Sequence, residues 1–484
     1  MQLRCSNLFE QSAYVGGTWV EAASEACDTI VNPADEKPVG CVPRLNEGQV
    51  VEAIDHAATA LRDWREWSGR ERACVMREWA QLVNTHREDL SVILSAEQGK
   101  PIHEARAEIA QAANYLEWFS EEARRAYGDN IPAPRRSQRI HVIRQPIGVC
   151  AAITSWTFPS SMVARRIGAA LAAGCTVVLK PSSKTPFSAL ALCVLAENAG
   201  LPRGVLSVLT GDDETITRTM LDSPIVKKVS FTGAIDAGKK LMAQCAGTVK
   251  KVSLELGANS PFIVFDDADL DLAVKGALAA RFRHTGQAAM CANRFFVHEK
   301  RYGEFVRGLV EKVRALKTGN GMLDDTQVGP LIDGAAVARI ESLVAQAVEA
   351  GAQVAIGGKR HSAGPNFFQP TVLTHVDPGM AICGDEILGP VASVLRFRDE
   401  DEALALANQT RTGLAAYFYT ADLNRSFRVM EALECGVVGV NESLVFNEVA
   451  PFGGIKESGI GKEGSHYGVE EYLETKYVCF GNMN

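Results

Sequence analysis

Apolar residues recur at helical spacing early in the chain. Ile54, Ala57, Leu61 and Trp64 form one stripe, and Ile109, Ala112, Leu116 and Phe119 form another. Both predict amphipathic helices, and the first hundred or so residues are expected to be rich in helix. From "IGVCAAI" (147–153) the rhythm changes. Short apolar runs now alternate with helical stretches: "CTVVLK" (175–180), "GVLSVL" (204–209), "VKKVSF" (226–231) and "KKVSLEL" (250–256). This alternation predicts strands joined by crossover helices, hence a parallel sheet covered on both faces. A second series runs from "PFIVF" (261–265) through "RFFVH" (294–298) and a helix over 300–316 to "VASVLRF" (391–397). The predicted class is α/β, with two doubly wound domains in tandem. Two segments fit neither series: "RRSQRIHVIRQP" (135–146) and "EYLETKYVCF" (471–480) show strand-like alternation beside no crossover helix. A lone ribbon is not stable by itself, so they are read as a projecting β-arm and strand that contact another subunit. A homodimer or homotetramer is expected.

Composition narrows the class. Of the 484 residues, 46% are hydrophobic and 22% charged, values ordinary for a globular chain and unlike a disordered one. That length leaves room for about three domains around a large core. The formal net charge of −8 gives no basic field to condense on phosphate backbones, which argues against nucleic acid as a partner. The first residues, "MQLRCSNLFEQSAYVGG", lack a basic start followed by an apolar run. No later stretch approaches the roughly 18 uninterrupted apolar residues of a membrane span, so a soluble protein without a membrane partner is expected. The twelve cysteines include no C-x2-C pair and no Cys/His cluster at zinc spacing, and no metal site is expected. Most of them read as small apolar core residues in a reducing compartment, with the cytoplasm as the default.

Candidate chemistry begins with phosphate recognition. No G-x-G-x-x-G follows the first sheet strand, so the usual dinucleotide fingerprint is missing. In its place "SFTGAIDAGKKL" (230–241) gives a strand, a turn at Gly233 and an amphipathic helix, whose free N–H groups and positive dipole end suit a pyrophosphate. By itself such a stretch is more often only a turn. "VVLKPSSKTPFSAL" (177–190) ends a strand in Lys180, followed by Ser182, Ser183 and Lys184. A lysine and hydroxyls at a strand's carboxyl end suit an adenosine ribose or its phosphate. A solvated loop capping the next helix through Thr185 and Pro186 reads equally well. "SLELGANSPFIVF" (253–265) sets Glu255 before a glycine turn between apolar strands. A carboxylate there is either paired or has a raised pKa suited to a general base.

Taken jointly, these segments resemble a known family. "TSWTFPSSM" (154–162), "LKPSSKTP", "SFTGAIDAG", "LELGAN", "GQAAMCANR", "EILGPV" (386–391), "NQTRTGLAAYFYT" (408–420) and "PFGGIKESGIGKEG" (451–464) are similar in order and spacing to the aldehyde dehydrogenase superfamily, over nearly the whole chain. "KKVSLEL", "FIVFDDADLD" and "ASVLRF" resemble its succinate-semialdehyde dehydrogenase branch most. The resemblance implies a dinucleotide-binding domain over 1–134 and 147–255, a catalytic domain over 256–437, and an oligomerisation arm with C-terminal strand over 135–146 and 438–484. It implies a reaction in which a cysteine thiolate attacks an aldehyde while an asparagine amide and the cysteine's own N–H hold the oxyanion. Hydride then passes to NAD or NADP, and a glutamate activates water to release the acid. Glu255 matches that glutamate. Trp156, Lys180, Ser182 and Ser183 match cofactor-side residues, Gly233 and Ala234 the pyrophosphate turn, and Glu386 the carboxylate on the nicotinamide ribose. Ser183 stands where NAD-preferring members often carry a glutamate. A hydroxyl beside Lys184 tolerates a 2′-phosphate better than a carboxylate would, which points to NADP. Arg165 and Arg283 match arginines that grip the substrate's distal carboxylate in this branch, with an ordinary salt bridge as the alternative at each. Phe446 and Asn447 lie near the place of a serine of the branch, so a larger or more aromatic acid semialdehyde fits as well.

The departures gather at the reacting centre. In "RHTGQAAMCANR" (283–294) the nucleophile position is Ala289; the oxyanion asparagine is Thr157, and Ala258, Ala234 and Leu388 replace a glycine, a serine and a phenylalanine. Alanine has no electron pair to offer a carbonyl, so no thiohemiacetal forms at 289. Cys291 stands two residues late. Two residues of extended backbone move a side chain by about 6–7 Å, whereas attack tolerates errors nearer 1 Å. Some relatives carry a second cysteine there as an oxidation partner of the nucleophile. The Thr157 hydroxyl donates one hydrogen bond but is shorter than an amide, and losing an oxyanion donor lowers rates by roughly 10²–10³. Three readings stand: a semialdehyde dehydrogenase whose cysteine has been replaced, a natural relative using Glu255 in non-covalent chemistry, and a non-catalytic binding or subunit-stabilising protein. The retained Glu255, Lys180, Glu386 and paired arginines favour the first two.

Overall fold

From Val149 onward, strands and helices alternate to build two sheets in a computed structural model that describes residues 2–384 and 386–483. The first sheet has eight strands, in the order Thr18–Val20, Ala13–Val15, Leu206–Val208, Thr176–Lys180, Val149–Ile153, Val226–Gly233, Lys251–Leu256 and Gly459–Ile460. The five from Leu206–Val208 to Lys251–Leu256 are mutually parallel. Val149–Ile153 and Thr176–Lys180 are buried at every position, covered on both faces, which is why they read as continuous apolar runs. The chain winds outward from Val149–Ile153 to Thr176–Lys180 on one side and to Val226–Gly233 on the other. The winding therefore reverses between 149–153 and 226–233, where open α/β sheets form a ligand crevice at their carboxyl ends.

The second sheet orders Gln353–Ile356, Thr371–Thr374, Val391–Phe397, Ala292–His298, Ser260–Val264, Ala415–Tyr419 and Val437–Val440, all parallel except the first. The two segments set apart from both series meet each other. Arg139–Pro146 pairs antiparallel with Leu473–Phe480, from Pro146 opposite Leu473 to Arg139 opposite Phe480, and with Asp129–Ile131 on its other edge. Among the described residues, no helix is long and apolar enough to cross a membrane.

Three features differ from the sequence reading. Residues before Glu47 form hairpins rather than helix: Ala13–Val15 with Thr18–Val20, and Cys27–Val31 with Pro38–Pro43. Strands of three to six residues are too short for a two-residue period to register. Helix starts at Glu47–Trp64 and continues in Gly69–Thr85, Arg87–Gln98 and Ile102–Glu122; capping boxes at Asn46/Gln49 and Ser68/Glu71 begin the first two. Cys27 and Cys41 form a disulfide across the second hairpin, so the cysteines are not uniformly reduced core residues, although six of the ten others are buried. Residues 438–484 are not one arm: only Leu473–Phe480 joins the ribbon, while Gly459–Ile460 extends the first sheet beside Leu254 and Glu255.

Between that sheet and helix Ile102–Glu122 lies helix Ser161–Ala173, buried along its whole length. Two of its residues are Arg165 and Arg166. A buried guanidinium must find partners, and that requirement shapes the site.

Candidate active site

Four neighbouring parallel strands deliver residues at their carboxyl ends. Val149–Ile153 leads into Thr154–Thr157, Thr176–Lys180 ends in Lys180, Val226–Gly233 ends in Thr232 and Gly233, and Lys251–Leu256 carries Glu255. Ile153 lies opposite Lys180 and Thr232 opposite Glu255. In the loop before strand Ala292–His298, Ala289 packs on the cluster of Ala258, Leu414 and Phe452, against which Phe446 also packs. Glu386 arrives from the loop before Val391–Phe397. A methyl group added to Gly257 would stand 2.9 Å from its Oε2, so the Glu386 carboxylate closes on the same turn.

Glu255 is paired, not free. Its Oε2 lies 2.5 Å from Arg165 and 3.4 Å from Arg166, and accepts from the Thr232 hydroxyl at 3.0 Å. Glu463 closes the cluster from the other side, 2.5 Å from Arg165 and 2.8 Å from Arg166. Burial works against the Arg165 charge, yet Glu255 and Glu463 outweigh it and hold its pKa above the ordinary value. Likewise burial pushes the Glu463 carboxyl up, but Arg165 and Arg166 reverse this and leave it lowered. The Arg165 guanidinium lies 5.1 and 5.0 Å from the ring centres of Phe446 and Phe452, which meet each other edge-on at 4.9 Å.

Arg283 has other neighbours. It lines a cavity with Phe158, His284, Met290, Cys291 and Tyr417, which does not include Arg165. Arg283 thus faces that cavity, whereas Arg165 is bound to Glu255 and Glu463. Cys291 shares the Arg283 cavity, but burial raises its pKa and keeps the thiol protonated. A buried, protonated thiol is a poor nucleophile.

Thr157 is poorly placed to donate to an oxyanion. Its hydroxyl donates to Ser155 Oγ at 3.2 Å, and its carbonyl accepts from Lys100 Nζ at 3.1 Å. Lys100 is itself paired with buried Glu108, whose other oxygen accepts the Ser160 and Ser161 N–H groups. The loop leading to Ala289 is strained: His284 and Thr285 have φ of 56° and 55°, in the left-handed region that side chains disfavour. His284 is kept there by its N–H to Glu104 and by stacking on Phe158 at 4.7 Å.

On the cofactor side, Lys180 pairs with Asp213, and Ser183 Oγ donates to the same carboxylate at 3.4 Å. Lys184 is drawn to Asp333 at 2.5 Å and lies 6.0 Å from the Trp156 ring, while its N–H donates to Ser182 Oγ. Lys184 thus already has a carboxylate partner, which weakens the sequence argument that it receives a 2′-phosphate. Helix Ile235–Ala246 follows Gly233, and its N-cap, Ala234, supplies no side-chain acceptor, leaving first-turn N–H groups for a pyrophosphate. Glu386 Oε1 is shielded from solvent and has no hydrogen-bond partner, as an acceptor for a ribose hydroxyl would. Burial pushes the Glu386 carboxyl up to about 7, against the Ala258 N–H and the charges of Arg339 and Arg281. These features fit a dinucleotide. Among the described residues, no cluster of three or more His, Cys, Asp or Glu side chains is placed to hold a metal ion.

Sequence reasoning passed over Arg166, Glu463, Thr232, Lys100 and Asp213. The doubled arginine of "VARRIG" and the acid of "GKEG" carried a signal, since charges in an apolar helix and a glycine turn need partners. Asp213, at the start of an ordinary acidic helix N-terminus, carried none.

Residues 19–478 match the aldehyde dehydrogenase family. The chain is 51% identical over 481 residues to a succinate-semialdehyde dehydrogenase [NADP(+)] of Escherichia coli K12, covering 99% of this chain and 100% of that one. It is 52% identical over 483 residues to a glutarate-semialdehyde dehydrogenase of Pseudomonas aeruginosa, with full coverage of both. A crystal structure of an NADP-dependent enzyme from E. coli superposes with a TM-score of 0.99 at 51% identity, over 99% of this chain and 100% of that one. The strand ends that converge on Glu255 and the match along nearly the whole length place the chain in the aldehyde dehydrogenase family, among its succinate-semialdehyde dehydrogenase-like members.

Proposed function

We propose that this pocket binds NAD(P) together with a carboxylate-bearing aldehyde, as in a semialdehyde dehydrogenase, and that the covalent step has no atom to carry it here. The observation that carries the reading is Ala289, which packs on the cluster of Ala258, Leu414 and Phe452 beside the Gly257 turn on which Glu386 closes. Lys180, Ser182, Ser183, Trp156, Gly233, Ala234 and Glu386 hold the dinucleotide, which when bound supplies the hydride acceptor. Arg283 receives the substrate carboxylate, and Phe446 and Phe452 exclude water. The dinucleotide unit comprises 1–134 and 147–255, the catalytic unit 256–437. The arm joins copies into a homodimer or homotetramer in the cytoplasm.

Non-covalent chemistry through Glu255 is disfavoured, because its carboxylate is already held by Arg165, Arg166 and Thr232. That engagement supports a second reading, a protein that binds without turnover. The test is a titration with NAD and NADP, followed by assays with succinate and glutarate semialdehydes. The expected result is dinucleotide binding without NAD(P)H formation, and NAD(P)H formation by Ala289→Cys/Thr157→Asn. Turnover by the unaltered chain would sink the proposal, as would failure to bind either dinucleotide. A double variant that binds but stays silent would favour the second reading.

A further inference from the structure

We infer that Asp213 makes the adenosine end of this pocket select NAD over NADP, an inference that rests on the pocket binding a nicotinamide dinucleotide at all. Lys180 ends its strand with a side chain only 3% exposed, so its ammonium is held in place rather than free to sweep. Asp213, the first residue of helix Asp213–Asp222, pairs with that ammonium and also takes the Ser183 hydroxyl at 3.4 Å. Lysine, serine and carboxylate therefore meet at one strand end. The carboxylate that is missing at position 183 arrives thirty residues later in the chain, from the neighbouring strand's exit.

The two cofactors differ there by one group. NAD presents a vicinal diol, whose hydroxyls donate well to a carboxylate. NADP presents a 2′-phosphate carrying about −1.5 to −2 at pH 7. That phosphate would meet Asp213 and its neighbours Asp212 and Glu214, three consecutive acids. Asp212 is held below the usual carboxylate range by the Thr215 N–H and hydroxyl, so it remains charged. The two lysines cannot offset this, since Lys180 is paired with Asp213 and Lys184 with Asp333. Asp213 is 65% exposed, so solvent screens the repulsion and the discrimination is on the order of tenfold rather than thousands.

The experiment is a calorimetric titration of the unaltered chain and of Asp213→Ala with NAD, NADP, and the fragments 5′-AMP and 2′,5′-ADP. The unaltered chain is expected to bind NAD about tenfold more tightly than NADP, and 5′-AMP more tightly than 2′,5′-ADP. Asp213→Ala should strengthen NADP and 2′,5′-ADP by about tenfold and change NAD by less than about threefold. Equal or tighter binding of NADP by the unaltered chain overturns the inference. So does an NADP-to-NAD ratio that Asp213→Ala leaves unmoved while both still bind. If neither dinucleotide binds either protein, the dinucleotide reading itself fails and takes this one with it.

Discussion

Arg165 and Glu255 meet at 2.5 Å, with 1% and 6% of their side chains exposed. The arginine that resembles a substrate anchor thus holds the glutamate that resembles a base, and the Phe446 ring covers the guanidinium at 5.1 Å. A substrate carboxylate approaching Arg165 would have to displace that ring and compete with two carboxylates. Ala289 packs on the cluster that includes Phe452, whose ring also borders Arg165, so the alanine and this occupied arginine are neighbouring features.

It follows that a cysteine placed at 289 gives little turnover while Phe446 covers Arg165. In the Ala289→Cys/Thr157→Asn background, adding Phe446→Ser should raise kcat/KM for succinate semialdehyde by about tenfold or more, mainly through KM. Steady-state kinetics check it. An unchanged kcat/KM would mean that Phe446 does not keep the substrate carboxylate from reaching Arg165 in addition to Arg283.

The four-charge cluster also bears on stability. Removing one partner from a buried ion pair leaves an uncompensated charge and costs about 3–5 kcal/mol. Arg166→Met should lower the unfolding free energy by that order, read from urea denaturation. Arg166→Met/Glu463→Gln should lose less than the sum of its single variants, because the second change neutralises the charge the first one stranded. Strict additivity would show that the two do not interact.

Much of this was legible in the chain. The central strands of both sheets announced themselves because burial on both faces leaves continuous apolar runs, as in "TVVLK", whereas the sequence reading passes over Thr371–Thr374, Ala415–Tyr419 and Val437–Val440 as strands. The ribbon was legible because "RIHVIRQP" and "LETKYVCF" alternate without a crossover helix beside them. The N-terminal hairpins stayed hidden because strands of three to six residues are too short to show a period. At the site, Glu255 was correctly bracketed as either paired or raised, but its partners lie 90 and 89 residues away and no local pattern links them. The same holds for Asp213, 33 residues from Lys180. Sequence spacing identified which residues reach the crevice; only the packing decided which of them neutralise one another.

Glu97 offers a pH test. Its buried carboxyl receives the Phe187 and Ser188 N–H groups, each at 2.8 Å, at the start of the helix that follows the Lys180 loop. Burial outweighs these donors and pushes its pKa up to about 8. The folded state therefore holds a proton that the unfolded chain releases near pH 4.5. The contribution is fully present below that pH and is lost as pH rises through about 8, with a slope of up to about 1.4 kcal/mol per pH unit. Glu97→Gln should flatten the stability profile between those limits, in urea melts taken at each pH. Parallel profiles for the two proteins would assign the slope to other groups.

Arg281 ties two site loops together without a carboxylate. Its guanidinium donates to the carbonyls of Gly286 and Ala292 and to Asn293 Oδ1 on one side, and to the carbonyls of Ile387 and Gly389 on the other. Burial lowers its pKa to about 10, still high enough to keep it charged at neutral pH. The loop bearing Ala289 and the loop bearing Glu386 are thus held at a fixed separation by one side chain, even though His284 and Thr285 strain the first of them. Arg281→Met keeps the apolar stem but strands those acceptors, at about 1–3 kcal/mol for each one left unsatisfied. The expected outcome is a fall in stability of several kcal/mol by that measure, with amide exchange in 284–292 and 387–390 accelerating together. Acceleration confined to one loop would show that Arg281 does not couple them, and dinucleotide affinity, read through Glu386, should then be unchanged.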